Sequence, residues 1–391
     1  MKKAVVVGGS NGIGLAVTRK LISEGYFVSV FDMRAPDDSF LQSNASSYSF
    51  EKCNLLYFDA DQCFKKLAED DSVEVLMITA GFGRVADFEY LHTAEIANMI
   101  QVNTIAAIQI IRCFYNRIKS KESFYCGVMG SIAGLCSSPM FSVYAASKAG
   151  ICRFVESVNI ELEAAGVKNR ILNVAPGSVK GTRFNGGEND MNAVSALADE
   201  IISHMKNSDE LYIPDYENVY KGVLERYHSD AHAFGLQSYS YKQSSGRVFN
   251  ENCVCIGYLS GTFDLFHVGH LNLIKRAKEQ CDYLIVGVHP DASHKNKVTF
   301  IPFDERKTIV GSVRYVDKVV DSCREDSEAW ERWHFNKLFV GSDYKGTERF
   351  KRYEEFFKNK GVEIVYFPYT QGTSSTQIRK AIVSVDAPEK K

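Results

Sequence analysis

The sequence predicts an α/β fold of two doubly wound parallel-sheet domains in succession, and three observations carry that prediction. At 391 residues the chain exceeds what a single hydrophobic core usually supports. It opens on an apolar stretch that runs into a glycine loop, and a second apolar stretch, residues 254–258, runs into another glycine-containing turn and a helix. Elsewhere, short apolar stretches alternate with helical spacing, the order from which parallel sheets are built.

Taken in order, residues 4–7 read as a strand, Gly8-Gly9-Ser10-Asn11-Gly12-Ile13-Gly14 as a loop, and residues 15–23 as a helix. Residues 28–31 form the next strand, which ends at Asp32. This arrangement lets backbone approach a pyrophosphate, while the acidic residue accepts bonds from an adenosine ribose. Further strands are expected near residues 75–78, 125–129 and 170–174. Around residues 238–250 the pattern loosens into a polar stretch without helical or strand spacing. That stretch separates a first domain, residues 1–240, from a second, residues 252–391. In the second, a helix follows residue 270, strands are expected at residues 283–288 and 338–340, and the charged end, residues 386–391, is expected to fray.

Composition narrows the function. Hydrophobic residues at 45% and charged residues at 24% are ordinary for a globular chain. A formal charge of −2 gives no basic field for nucleic acid or an anionic membrane, so phosphate binding must be local to a site and the partners are small molecules. No apolar stretch reads as a membrane span, and Met1-Lys2-Lys3 runs directly toward the glycine loop instead of a cleavage site, so a cytoplasmic protein is expected. The ten cysteines are scattered, and Cys253 and Cys255 are one residue too close for a C-x-x-C element. Buried free thiols are expected and no metal site.

In the first half, Tyr144 and Lys148 stand one helical turn apart. A cation beside a phenol favours the phenolate and lowers its pKa, which makes Tyr144 an acid/base. Ser131, at the end of an apolar strand, is placed to hold a substrate carbonyl. A lone Tyr and Lys on a helix are ordinarily surface residues; the combination outweighs that reading. Over roughly residues 1–235 the set resembles the short-chain dehydrogenase/reductase family, including the thirteen-residue separation of Ser131 from Tyr144.

The resemblance implies a Rossmann-type fold and catalytic roles for Ser131, Tyr144, Lys148 and Asn103, the last as a member of a proton relay. It also implies dinucleotide contacts from Gly8, Ser10, Asn11, Gly12, Ile13, Gly14, Asp32, Asn54, Ala80, Gly81, Tyr144, Lys148, Pro176, Gly177, Val179 and Thr182. Thr79-Ala80-Gly81 departs from the family's Asn-Asn-Ala-Gly by lacking both asparagines, and Asn54 reads almost equally well as a turn cap. Asp32 favours a free 2′-hydroxyl, and Asn11 stands where NADP users often carry a base, so NAD(H) is preferred. Arg34 keeps NADP(H) possible.

In the second half, Gly261-Thr262-Phe263-Asp264-Leu265-Phe266-His267-Val268-Gly269-His270 places two imidazoles three residues apart at the mouth of a helix, where free backbone N–H groups and the positive dipole end point. Two such histidines alone would be capping or packing residues. The whole string resembles the signature of the HxGH nucleotidyltransferases, closest to the glycerol-3-phosphate cytidylyltransferase type over roughly residues 252–385. This implies a smaller Rossmann-like nucleotidyltransferase using CTP with Mg²⁺. His267 and His270 are the implied catalytic groups, and Gly261, Thr262, Phe263, Lys297, Arg314, Asp343, Thr373, Ser374, Ser375 and Thr376 the further nucleotide contacts. Lys295 competes with Lys297, Arg314 competes with a structural ion-pair role, and Asp264 acts through metal or by bracing the loop. The chain departs from the family's Arg-Thr-x-Gly-Ile-Ser-Thr-Thr element, with Tyr369 in place of the arginine and Thr373 in place of isoleucine. Arg379 is the candidate compensation.

The joint expectation is a bifunctional enzyme, a homo-oligomer (dimer or tetramer), that reduces a small sugar-phosphate carbonyl and transfers CMP to the alcohol phosphate, as in teichoic-acid or capsule precursors. Two alternatives are a cytidylyltransferase governed by a dinucleotide-sensing domain and an adenylyltransferase using ATP.

Overall fold

The computed structural model describes residues 1–182, 184, 190–251, 254–290, 299–368 and 377–378, and divides into two compact units, Met1–Asn252 and Cys253–Lys391. The first unit holds strands β1 (Lys3–Val7), β2 (Phe27–Asp32), β3 (Tyr48–Lys52), β4 (Val73–Ile78), β5 (Tyr125–Met129), β6 (Ile171–Val174) and β7 (Leu211–Tyr212), in the spatial order β3-β2-β1-β4-β5-β6-β7. Every pairing is parallel. Alternate residues of β1 enter different cores, as the period of two requires. Val5 and Val7 pack with Ile110, Phe114 and Val155, whereas Ala4 and Val6 pack with Leu15, Leu21 and Ile201. Burial on both faces explains why these strands read as continuous apolar runs. The strand order reverses between β1 and β4, which opens a crevice at their carboxyl ends.

One expectation is corrected in this unit. Residues 238–244 are helical, belonging to the helix Ala231–Ser244 capped by Asp230, whose side chain accepts from Ala233 N–H. None of that helix is buried, so it shows no apolar stripe to betray it. The helical run Thr93–Cys113 is long and apolar enough to pass for a membrane span by length and composition alone. Its Ala106, Ala107, Ile110 and Ile111 are buried in the sheet core instead.

The second unit holds β8 (Ile256–Gly261), β9 (Tyr283–Val288), β10 (Lys318–Asp321), β11 (Lys337–Gly341) and β12 (Glu363–Phe367), all parallel, in the order β10-β9-β8-β11-β12. Leu259, Val286 and Phe339 pack on one face with Ile274 and Val310; Tyr258, Ile285 and Leu338 pack on the other with Phe335 and Phe357. The first strand starts two residues later than its apolar run. Side-chain oxygens take the preceding N–H groups: Cys255 donates to Asp282 at 2.9 Å and Ile256 to Asn336 at 2.8 Å. The nine described cysteines are free, and Cys53, Cys126, Cys152 and Cys323 are buried.

Candidate functional site

In the first unit the glycine loop is shaped by contacts that leave no room for side chains. A Cβ on Gly14 would stand 2.1 Å from the Gly8 carbonyl oxygen, and one on Gly8, whose φ is +85°, 2.5 Å from the Ala80 nitrogen. Asp32 holds the loop from the next strand, accepting from Ser10 N–H at 3.0 Å and Met33 N–H at 2.7 Å. The Ser10 hydroxyl is buried and makes no hydrogen bond among the described residues. Such an orphan costs about 1–3 kcal/mol, a cost that a phosphate oxygen would remove, so the loop fits a dinucleotide pyrophosphate.

The strand-end residues beside it converge. Thr79 Oγ1 bonds the carbonyls of Val7 at 3.1 Å and Gly8 at 3.0 Å, so the residue that departs from the family pattern ties β4 to the glycine loop. A Cβ on Gly81 would crowd Asn103 Oδ1 at 3.0 Å and Lys148 Nζ at 3.2 Å. Glycine keeps the space beside them open. Asn103 is buried in a wide helical turn, Gln101–Ala106, where its amide bridges the Phe82 backbone and the Ser147 hydroxyl at 2.9 Å. Ser131 Oγ accepts from Ala133 N–H at 3.1 Å and donates to the Pro176 carbonyl at 3.4 Å, joining the end of β5 to the loop after β6.

Tyr144 is buried and stacked on Phe141, with ring centroids 4.1 Å apart. Burial pushes its phenol up to about 12, and a hydrogen bond with Ser131 partly opposes this. The expected depression by Lys148 is absent: its ammonium lies 5.8 Å from the Tyr144 ring centroid and is bonded to the Met129 carbonyl, and burial sets the direction of the shift. Tyr144 therefore stays protonated at neutral pH, the form needed to donate a proton to a carbonyl. Lys148 Nζ donates to the Met129 carbonyl at 2.7 Å, and burial brings its pKa down to about 8. Reduction is accordingly expected to fall as pH rises through about 8 and the ammonium is lost; a kcat/KM profile flat from neutral to well above that value would contradict a required cation.

In the second unit, His267 caps the helix Val268–Lys278, its Nδ1 accepting from Gly269 N–H at 3.0 Å. The His267 and His270 rings stack with centroids 4.0 Å apart. Burial lowers the His267 pKa, so it favours the neutral ring. The loop before them carries two left-handed residues, Phe263 at φ +53° and Leu265 at +51°, on either side of buried Asp264. Asp264 accepts the N–H groups of Phe300 and Ile301, each at 3.0 Å. That is a bracing role. Thr262 Oγ1 is buried without a hydrogen-bond partner among the described residues, the same signature as Ser10.

The first unit matches the family model for the short chain dehydrogenase over residues 2–193, and the second matches the Cytidylyltransferase-like model over residues 258–381. Glycerol-3-phosphate cytidylyltransferase of Staphylococcus aureus is 33% identical over 131 residues, covering 32% of this chain and 94% of the relative. The chain is a short-chain dehydrogenase fused to a cytidylyltransferase. The Bacillus subtilis cytidylyltransferase of the same name is 36% identical, covering 32% of this chain and 95% of that one. For the dehydrogenase unit, the 3-oxoacyl-[acyl-carrier-protein] reductase MabA of Mycobacterium avium is 29% identical, covering 46% of this chain and 67% of that protein. Both units are enzymatic, an oxidoreductase and a cytidylyltransferase.

Several sequence-derived residues stand apart from these clusters. Asn54 Oδ1 accepts from Leu56 N–H at 3.0 Å, the turn-cap arrangement. Arg314 is exposed and donates to the adjacent Tyr315 hydroxyl at 2.8 Å, with no ion pair among the described residues. Asp343 is exposed in the turn Ser342–Tyr344, just beyond the carboxyl end of β11. Lys295, Lys297, Tyr369, Thr373, Ser374, Ser375, Thr376 and Arg379 lie outside the described residues.

Three residues escape the sequence reading. Ser147 accepts from Asn103 and donates to the Tyr144 carbonyl at 2.7 Å, tying Asn103 to the helix that carries Tyr144. The Tyr220 hydroxyl lies so close to Gly177 that a Cβ there would be 1.6 Å away, and it bonds the Ser178 backbone. Fully buried Arg306 donates to the carbonyls of Thr262, His289 at 2.8 Å, Pro290 at 2.7 Å and Ile301 at 2.9 Å. It positions the cytidylyltransferase signature loop from a helix some 40 residues downstream.

Proposed function

We propose that this chain makes a CDP-activated polyol: the dehydrogenase unit reduces the carbonyl of a small sugar phosphate with NAD(P)H, and the cytidylyltransferase unit transfers CMP from CTP to the resulting alcohol phosphate. The observation that supports this reading is the presence on one chain of buried Asn103, Ser147, Tyr144 and Lys148 and of a stacked His267–His270 pair beside a helix start. A purely sensing domain needs no protonated phenol held beside a hydroxyl and an ammonium. The second substrate class is taken from the names of the cytidylyltransferase relatives.

The bound dinucleotide supplies the hydride, and Mg²⁺ neutralises the pyrophosphate leaving group. Everything else falls to the chain's own residues. Gly8, Ser10, Asn11, Gly12, Ile13 and Gly14 cradle the pyrophosphate at the start of the helix Gly12–Ser23. Val179 and Thr182 lie along the nicotinamide-side loop, Thr182 Oγ1 bonding the Val179 carbonyl at 3.1 Å. Ser131 holds the substrate carbonyl, Tyr144 donates the proton to its oxygen, and Lys148 with Asn103 restores that proton. In the other unit the phosphate oxygen of the alcohol phosphate attacks the α-phosphorus of CTP in line, the α–β bridging bond breaks and pyrophosphate leaves. His267 and His270 stabilise the charge that builds on the phosphoryl oxygens, and Thr262 donates to a phosphate.

Asp32 supports NAD(H), since a carboxylate repels a 2′-phosphate. Asp32→Ala is expected to raise the NADH dissociation constant more than that of NADPH; the opposite order, read by dinucleotide fluorescence, would refute that preference. Incubation with triose and ketose phosphates, NADH and CTP or ATP, followed by mass identification of the nucleotide product, tests substrate and base together. Equal turnover with ATP would remove the cytidine assignment.

A further inference from the structure

The stretch that reads as a connection is built into the dehydrogenase cleft. Two chain segments flank the Tyr144 ring. One carries Gly83, whose Cβ would lie 2.4 Å from it; the other ends in Phe141, stacked on it. Residues 238–251 bond to both. Phe249 N–H donates to the Val85 carbonyl at 2.9 Å, and Asn250 Nδ2 donates to Asp87 at 2.9 Å. Arg84 donates to the carbonyls of Phe249 at 2.7 Å and Glu251 at 2.9 Å. On the second segment, which Ala86 N–H joins to the first through the Met140 carbonyl at 2.7 Å, Lys242 Nζ donates to Ser138 Oγ at 2.6 Å and the Pro139 carbonyl at 2.8 Å, and also to Ser238 Oγ at 3.2 Å.

Lys242 is chemically unusual. All three of its bonds go to neutral oxygens, and no carboxylate pairs with it among the described residues. Its charged neighbours are Arg247, a second cation, and the Cys136 thiol. Partial burial and Arg247 bring its pKa down to about 8, so at neutral pH the ammonium is charged but its charge is uncompensated. Because Ser138 and Ser238 accept from it, each hydroxyl has its own hydrogen left to donate. The two hydroxyls can donate to an anion, and the ammonium and a nearby guanidinium supply positive charge beside them; Ser138 stands three residues along the chain from Phe141, the ring that packs on Tyr144.

We propose that Lys242 is a specificity-determining residue of the dehydrogenase, with Ser138 and Ser238 receiving the phosphate of a phosphorylated carbonyl substrate. The proposal rests on the sugar-phosphate reading above. It adds which residues select the phosphate, and places two of them, Ser238 and Lys242, on the helix Ala231–Ser244.

The test uses the full chain and two probe pairs, dihydroxyacetone phosphate against dihydroxyacetone and ribulose 5-phosphate against ribulose, with NADH and NADPH. The wild type is expected to prefer the phosphorylated member of at least one pair. Lys242→Met should lower kcat/KM for that member by about tenfold or more, the scale of a lost charge-assisted hydrogen bond, while leaving the unphosphorylated member within about twofold. Lys242→Arg should keep most of the preference, and unchanged NADH binding and cytidylyl transfer would show that both variants are folded. An undiminished preference in Lys242→Met overturns the role of Lys242 but leaves the sugar-phosphate reading standing. Equal losses on both members make it a brace and overturn the proposal too. A wild type that favours no phosphorylated probe removes the sugar-phosphate reading and the proposal with it.

Discussion

Tyr144→Phe is expected to lower the hydride-transfer rate by about a hundredfold or more, the scale of a lost general acid, while dinucleotide binding and cytidylyl transfer persist. The phenol is buried, held protonated with its pKa near 12 and bonded to Ser131, so deleting its oxygen removes the proton donor without opening a cavity. The Phe141 stack should survive the change, since it depends on the ring alone. Wild-type reduction by this variant, measured in single-turnover NADH oxidation, would eliminate Tyr144 as the acid.

His270→Ala is expected to lower the cytidylyl-transfer kcat by about a hundredfold or more while changing CTP affinity far less, because a donor aimed at charge building in the transition state adds little to ground-state binding. The dehydrogenase should be untouched, since its proposed catalytic groups all lie in the first unit. The edges of Phe263 and Phe266 also pack near the His270 ring, at 5.3 and 5.5 Å between centroids, so the alternative is a purely packing histidine. His270→Gln separates the two. Unchanged pyrophosphate release in a folded His270→Ala or His270→Gln variant would make the histidine structural.

The parts of this architecture that were legible in sequence are those whose residues are close in sequence. The glycine loop, the Tyr144–Lys148 turn and the His267–His270 pair are each set by spacings of three or four on a helix start or face. So are the strongly apolar strands buried on both sides. The edge strand β3, with its alternating Tyr48-Ser49-Phe50-Glu51-Lys52, and the helix Ala231–Ser244 with nothing buried carry no such signal. Tyr220 meets Gly177 across 43 residues and Arg306 meets Thr262 across 44; contacts of that range are created by the fold. The ionisation of Tyr144 was misjudged for a related reason. A sequence shows that a cation stands one turn away, but not that its ammonium is bonded to the Met129 carbonyl or that the phenol is buried.

The central claim, that the two chemistries meet in one product, is tested most directly by isotope transfer. The full chain would be supplied with NADH carrying deuterium at the transferable position, CTP, Mg²⁺ and a mixture of triose and ketose phosphates, and the CDP-containing products analysed by mass. The account predicts a CDP-polyol heavier by one deuterium on the carbon that was the carbonyl, formed with release of pyrophosphate and lost in both Tyr144→Phe and His270→Ala. A CDP-alcohol formed without deuterium, at the same rate whether or not NADH is present, would contradict it.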